Sequence, residues 1–137
     1  MVVPHVNYLA VLVSGIVIFL LGGLWYSPLL FAKPWVRLMG KTEEELKSAA
    51  GGPLPYILAF FCGLLTALVL AMVLNHFRPL NATRGALVGV LCWLGFAAPS
   101  SFGTAVFSGT PRALWLINTL YNLVAFVVAG LILAVWQ

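Results

Sequence analysis

Four stretches of this chain, Asn7 to Pro28, Leu54 to Asn75, Gly85 to Phe107 and Leu114 to Trp136, each run beyond twenty residues without Asp, Glu, Lys, Arg or His. A helix rises about 1.5 Å per residue and a bilayer core is about 30 Å thick, so each stretch is long enough to cross. The stretches are continuously apolar and lack the alternation of barrel strands, and a helix satisfies its own backbone polar groups in lipid. The expected fold is therefore an all-α membrane protein. It is a four-transmembrane-helix bundle with a short interfacial amphipathic segment in the first loop, forming one domain over residues 1–137. Composition agrees: 63% of the residues are hydrophobic and 7% charged, against about 25% charged in soluble domains.

The first stretch lacks the basic leader and the small-residue cleavage site of a signal peptide, and is expected to remain in the mature protein. Cys62 and Cys92 lie inside spans without C-x-x-C spacing and read as small hydrophobes.

Charge is confined to the loops. Lys33, Arg37, Lys41 and Lys47 fall in the first loop and Arg112 in the third, against Arg78 and Arg84 in the second. Orientation follows Lys and Arg, and Glu43, Glu44 and Glu45 count little, so the first and third loops are expected in the cytoplasm with both termini outside. A net charge of +4 beside a membrane suits anionic head groups. Membrane lipids, and no nucleic acid, are the expected partners.

The first loop, Leu29 to Gly52, is the one sizeable extramembrane piece. Pro34 suits a first helical turn. Lys33, Arg37 and Lys41 recur every four residues on one face, with Trp35, Leu38 and Met39 on another, which predicts a helix lying in the interface with its basic residues on lipid head groups. Thr42 and Glu45 have capping-box spacing for a second short helix that Gly51 can end. Gly52, Pro53 and Pro55 restart the chain.

Small residues predict close helix packing. Ala59, Gly63, Ala67 and Ala71 recur at spacing four. Gly85, Gly89 and Cys92 begin a second stripe that can continue through Phe96, Pro99 and Gly103. Such stripes let backbones approach in lipid, within one chain or between copies of a homo-oligomer.

No intramembrane charge offers a proton relay, and no Walker loop, H-E-x-x-H, Rossmann glycine pattern or nucleophile elbow occurs, so no catalytic residue and no cofactor are assigned. Counting depth along alternating helices gathers polar and aromatic residues in one half of the bilayer: Trp25, Tyr26, Ser27, Tyr56, Ser100, Ser101, Thr104, Asn118 and Asn122. Asn118 and Asn122 share a face that continues as Ala125 and Ala129, and Pro99 frees backbone groups nearby. One reading is a polar-lined cavity, open to the cytoplasmic side, that holds a small or amphipathic molecule. The other makes the aromatics belt anchors, the hydroxyls partners of their own helices and the two Asn interhelical contacts. His5 and His76 fall on the opposite side. Two histidines leave a zinc site incomplete, so no metal is assigned. Asn81-Ala82-Thr83 matches a glycosylation acceptor, but its tight loop favours starting the third helix.

Asn7-Tyr8-Leu9-Ala10-Val11, Leu21-Gly22-Gly23-Leu24-Trp25-Tyr26-Ser27-Pro28-Leu29-Leu30-Phe31, Lys33, Trp35 and Met39-Gly40 resemble the opening of a bacterial membrane family, domain of unknown function number 1761. Trp93-Leu94-Gly95-Phe96-Ala97-Ala98-Pro99 and Leu116-Ile117-Asn118 resemble it later in the chain. The likeness covers nearly the whole chain. It implies a compact, multi-span bacterial membrane protein and transfers no activity; the inner membrane is the expected location. Three functions stay open. They are a transporter-like or ligand-binding protein using the polar cavity, a noncatalytic assembly subunit, and a membrane-embedded lipid-modifying enzyme.

Overall fold

A computed structural model of the chain describes residues 6–40, 44, 45 and 52–136. Four helical spans are long and apolar enough to cross a membrane. They are α1 (Tyr8–Trp25), α3 (Leu54–Leu74, extended by a 3-10 turn over Asn75–Phe77), a broken third span, and α6 (Arg112–Val135). The third span consists of α4 (Ala82–Cys92), a wider π turn over Trp93–Ala97, and α5 (Ala98–Ser108). Between α1 and α3 lies the short α2 (Ala32–Met39). No strand occurs among the described residues.

Local chemistry sets the ends. Asn7 caps α1 by accepting from the Leu9 and Ala10 N–H groups at 3.1 and 3.2 Å. The helix stops at Trp25, before the Pro28 of the expected span, because Tyr26 and Ser27 turn back on the Gly22 and Leu24 carbonyls. Asn81 caps α4 through Arg84 N–H at 2.8 Å, so the third span begins at Ala82 instead of Gly85. Pro111 starts the fourth at Arg112, two residues before Leu114. Between them Gly109 takes φ +70°, a left-handed conformation that suits glycine at a helix end.

α2 is the predicted interfacial helix. Lys33 and Arg37 are exposed, while Trp35, Leu38 and Met39 are half-buried, and Trp35 packs on the Tyr26 ring with centroids 5.7 Å apart. The capping box at Thr42, the stop at Gly51, and Lys41, Lys47 and His5 lie outside the described residues.

The bundle pairs α1 with α3 and α4 with α6, and α6 also touches α1 and α3. Its core is Ala10, Val11 and Ile18 of α1, Ala67, Leu70 and Leu74 of α3, Val88 of α4, and Ala125, Ala129 and Leu133 of α6. These positions fall mainly in the half of the bundle nearer the termini. Lipid supplies no hydrophobic drive between helices, so close backbone approach has to carry the packing.

Both predicted stripes are used inside the chain. A Cβ on Gly63 would come 3.3 Å from Ile18 Cγ2 and 3.5 Å from the Gly15 carbonyl oxygen, and Ala67 is fully buried. Gly85 and Gly89 lie against the α6 backbone at Gly130 and Phe126. The stripes do not persist along their helices: Ala59 is exposed, and a Cβ on Gly95 or Gly103 would meet nothing within 4 Å. After the π turn, α5 leans away from α6 and the tight contact ends.

Candidate functional site

Where α5 separates from α6 there is a groove of about 490 Å³. Ser100, Thr104 and Ser108 line it from α5, Trp115, Asn118 and Asn122 from α6. The π turn creates the divergence and its neighbours make it tolerable. Ala98 N–H reaches back to the Trp93 carbonyl, and Pro99 contributes no N–H. Ser100 Oγ donates to the Phe96 carbonyl at 2.6 Å and Ser101 Oγ to the Ala97 carbonyl at 2.7 Å, so both hydroxyls are satisfied by their own helix. Trp93 pins the turn to α6: its indole N–H is 2.8 Å from the Thr119 carbonyl and 3.2 Å from Thr119 Oγ1. Trp115 binds the two helices again, donating to Ser101 Oγ at 3.0 Å.

A second cavity of about 500 Å³ lies on the other side of α6. It is bounded by Phe19, Gly22, Gly23, Tyr26, Tyr56, Ala59 and Tyr121. Asn118 stands between the two, because Tyr26 Oη donates to Asn118 Oδ1 at 2.6 Å. Tyr121 Oη donates to the Ile18 carbonyl at 3.0 Å, and its ring meets Tyr26 at 5.7 Å and Trp25 at 6.4 Å. A Cβ on Gly22 would lie 3.0 Å from Tyr121 Oη, so this glycine makes room for the tyrosine hydroxyl.

The nine residues grouped by depth are thus divided between two cavities. Ser100, Ser101, Thr104, Asn118 and Asn122 line the first, and Tyr26 and Tyr56 the second. Trp25 and Ser27 line neither. The Trp25 indole donates to the Ile117 carbonyl at 3.0 Å and stacks on Phe31, and Ser27 Oγ bonds the Leu24 carbonyl of its own helix. Depth brings residues to one level, but α6 passes between them at that level.

The hydroxyls of Ser100, Ser101, Thr104 and Ser108 all donate to carbonyls of their own helix. Their oxygens keep lone pairs and can only accept from a ligand. Donors come from α6. Asn118 has given its oxygen to Tyr26, which leaves its NH₂, and among the described residues the Asn122 carboxamide has no hydrogen-bond partner. The groove therefore presents acceptors on one wall and carboxamide donors on the other. A third cavity, about 410 Å³ between α3 and the π turn, is lined by Leu65, Val69, Val73, Cys92, Phe96 and Phe126, and its Thr66 hydroxyl is committed to the Cys62 carbonyl. It offers little to a polar ligand.

The family described as Protein of unknown function (DUF1761) matches residues 9–134. The chain belongs to this family. No curated protein and no solved structure matches it. Within this DUF1761 chain, the segments that carry the resemblance adjoin the site: Trp25 to Pro28 forms the corner holding Asn118, and Trp93 to Pro99 contains the π turn and the first residues of α5, where the groove opens.

Sequence reasoning missed Trp115, Thr119 and Tyr121. Trp115 and Asn118 stand three apart, as do Asn118 and Tyr121, so helical spacing from the Asn residues would have found both. Thr119 carried no signal, since its role depends on Trp93 arriving from another helix.

The Tyr26–Asn118 bond is testable by itself. A double-mutant cycle of Tyr26→Phe and Asn118→Ala, read from reversible unfolding in mixed micelles, is expected to give a coupling of about 0.6–1.7 kcal/mol, from the average to the largest value for interhelical hydrogen bonds in a membrane bundle. Additive single effects would mean that the bond contributes nothing.

Proposed function

We propose that this protein binds a small or amphipathic molecule in the groove between α5 and α6, as a transporter-like or ligand-binding membrane protein. The observation that carries this reading is the uncommitted carboxamide of Asn122. From Arg112 to Asn122 is ten residues of helix, about 15 Å, which reaches the middle of a core about 30 Å thick. An unpaired amide at that depth is costly unless water or a ligand satisfies it. Volume supports the same reading, since small-molecule sites span about 300–1,000 Å³.

The five-to-two distribution of Lys and Arg supports a groove whose mouth faces the cytoplasm, with a bacterial inner membrane as the expected setting. Beyond Asn122 the bundle closes where Gly85 and Gly89 meet α6. The conformation described suits binding from one side, and passage requires α4 and α6 to part.

Hydration is the first test. With Cys62 and Cys92 replaced by Ala, Asn122→Cys and Thr104→Cys are expected to react with a membrane-impermeant maleimide in inside-out vesicles, and Ala129→Cys, whose parent side chain is fully buried, is not. Silence at both groove positions from both sides of the membrane would overturn the reading.

A further inference from the structure

At its mouth the groove runs into a smaller hollow of about 190 Å³ that holds Arg112, and Ala105, Thr110 and Trp115 wall both. Arg112 differs from Arg84, whose guanidinium donates to the Phe77 and Pro79 carbonyls of its own loop. Among the described residues, the Arg112 guanidinium has neither a hydrogen bond nor an ion pair with the protein. Among the described residues no carboxylate lines either cavity. A cationic ligand would meet an unopposed guanidinium there, whereas an anion would meet its complement.

The surroundings of the groove decide between a soluble anion and a lipid. Its hydroxyl-bearing positions Ser100, Thr104 and Ser108 are exposed, so the groove opens sideways. The same helix carries Val106 at 55% and Phe107 at 95% exposure. That rim belongs in hydrocarbon. A molecule entering past it needs an apolar body outside the groove and a polar end inside.

We propose that the groove takes the phosphodiester head group of an anionic membrane lipid, entering sideways while its acyl chains stay in the bilayer. This deepens the ligand-binding reading above and rests on it. The phosphate pairs with the Arg112 guanidinium, which presents its N–H donors as a fixed fork suited to phosphate. A glycerol head group hydroxyl donates to Thr104 or Ser108 Oγ and accepts from the Asn118 NH₂. Asn118 lies six residues beyond Arg112, about 9 Å deeper, so phosphate and hydroxyl can be held together.

The test uses the full chain in detergent micelles, read by native mass spectrometry and by thermal unfolding. The probes are dioleoylphosphatidylglycerol, dioleoylglycerol with the same chains and no phosphate, and sn-glycerol 3-phosphate with no chains. Phosphatidylglycerol is expected to be retained at least about tenfold better than dioleoylglycerol, the least that a charge-assisted hydrogen bond supplies, and alone to raise the unfolding temperature. Arg112→Gln should reduce retention to the dioleoylglycerol level. Arg84→Gln, the same charge change at the opposite surface, should not.

Equal loss in both variants, or none in Arg112→Gln, would overturn the proposal. So would equal binding of glycerol 3-phosphate, which points to a soluble ligand. Should Arg112→Gln fail to fold, the unaltered protein still decides: equal thermal shifts from phosphatidylglycerol and dioleoylglycerol reject a phosphate site. Thiol labelling at Asn122→Cys distinguishes the failures. If it labels while phosphate has no effect, the groove binds something else; if it does not label, the groove itself is refuted.

Discussion

Gly130→Ala is expected to destabilise the bundle by about 3 kcal/mol, the upper end of the range for overpacking a close-packed interior. The added Cβ would fall on the carbonyl oxygen of Gly85 and 2.9 Å from its carbonyl carbon. Both are backbone atoms, so no rotamer change relieves the clash and α4 must move off α6. Gly85→Ala meets the reciprocal obstacle, the Gly130 carbonyl, and also lies 2.5 Å from Ala134 Cβ. Separating the helices loses dispersion contacts along the whole seam, which lipid chains replace less well than a matched backbone. Gly23→Ala is the control. Nothing lies within 4 Å of its added Cβ, so helix propensity alone operates and favours alanine by up to about 1 kcal/mol. Unfolding in mixed micelles, followed by far-UV circular dichroism, reads all three. Equal behaviour of Gly130→Ala and Gly23→Ala would remove the α4–α6 seam as the main packing contact.

Deleting Gly95 is expected to abolish the groove while leaving the helices formed. The π turn closes its hydrogen bond over five residues instead of four, from Ala98 N–H to the Trp93 carbonyl, and so holds one more residue than an α-helical turn. Removing one residue restores a continuous α-helix; because the π turn had absorbed the extra residue, α5 keeps the same face toward α6 and loses only its lean. Gly95 is exposed and has open space around it, so the deletion removes no packed side chain. Ser101 would then stay beside Trp115, while α5 would close on α6 and bring Ser100 and Thr104 against Asn118 and Asn122. Helix content by circular dichroism should stay near that of the parent, while Thr104→Cys in the deletion background loses its groove-dependent labelling. An unchanged labelling pattern would mean that the π turn does not hold α5 away from α6.

How much was legible differs from residue to residue. Asn81 was readable as a helix start because a cap acts within three residues. Gly63, Gly85 and Gly89 were readable as packing positions because their spacing follows from helix geometry alone. The identity of their partners was not: that Gly85 meets Gly130, while Gly103 meets nothing, depends on where α5 departs from α6. The nine polar and aromatic residues could be grouped by depth, since depth follows from counting residues at a fixed rise. Their division between two cavities escaped notice, since counting along an axis says nothing about which side of α6 a residue takes. The π turn was invisible for a related reason. Pro99 and the glycines signalled a weak point, but the wider turn also relies on Trp93 reaching Thr119 of another helix.

By itself the sequence determined that this protein lives in a membrane, crosses it four times, carries its charge in the loops and concentrates polar groups in one half of its depth. Those properties depend on transfer into lipid and on helical rise, both set along a single chain direction. Only the tertiary structure decided that the glycine stripes close on their own chain, that Tyr26 holds one face of Asn118, and that Asn122 is left facing an open groove. Those depend on the rotation of each helix about its axis, which side-chain contacts between helices settle and hydropathy does not see.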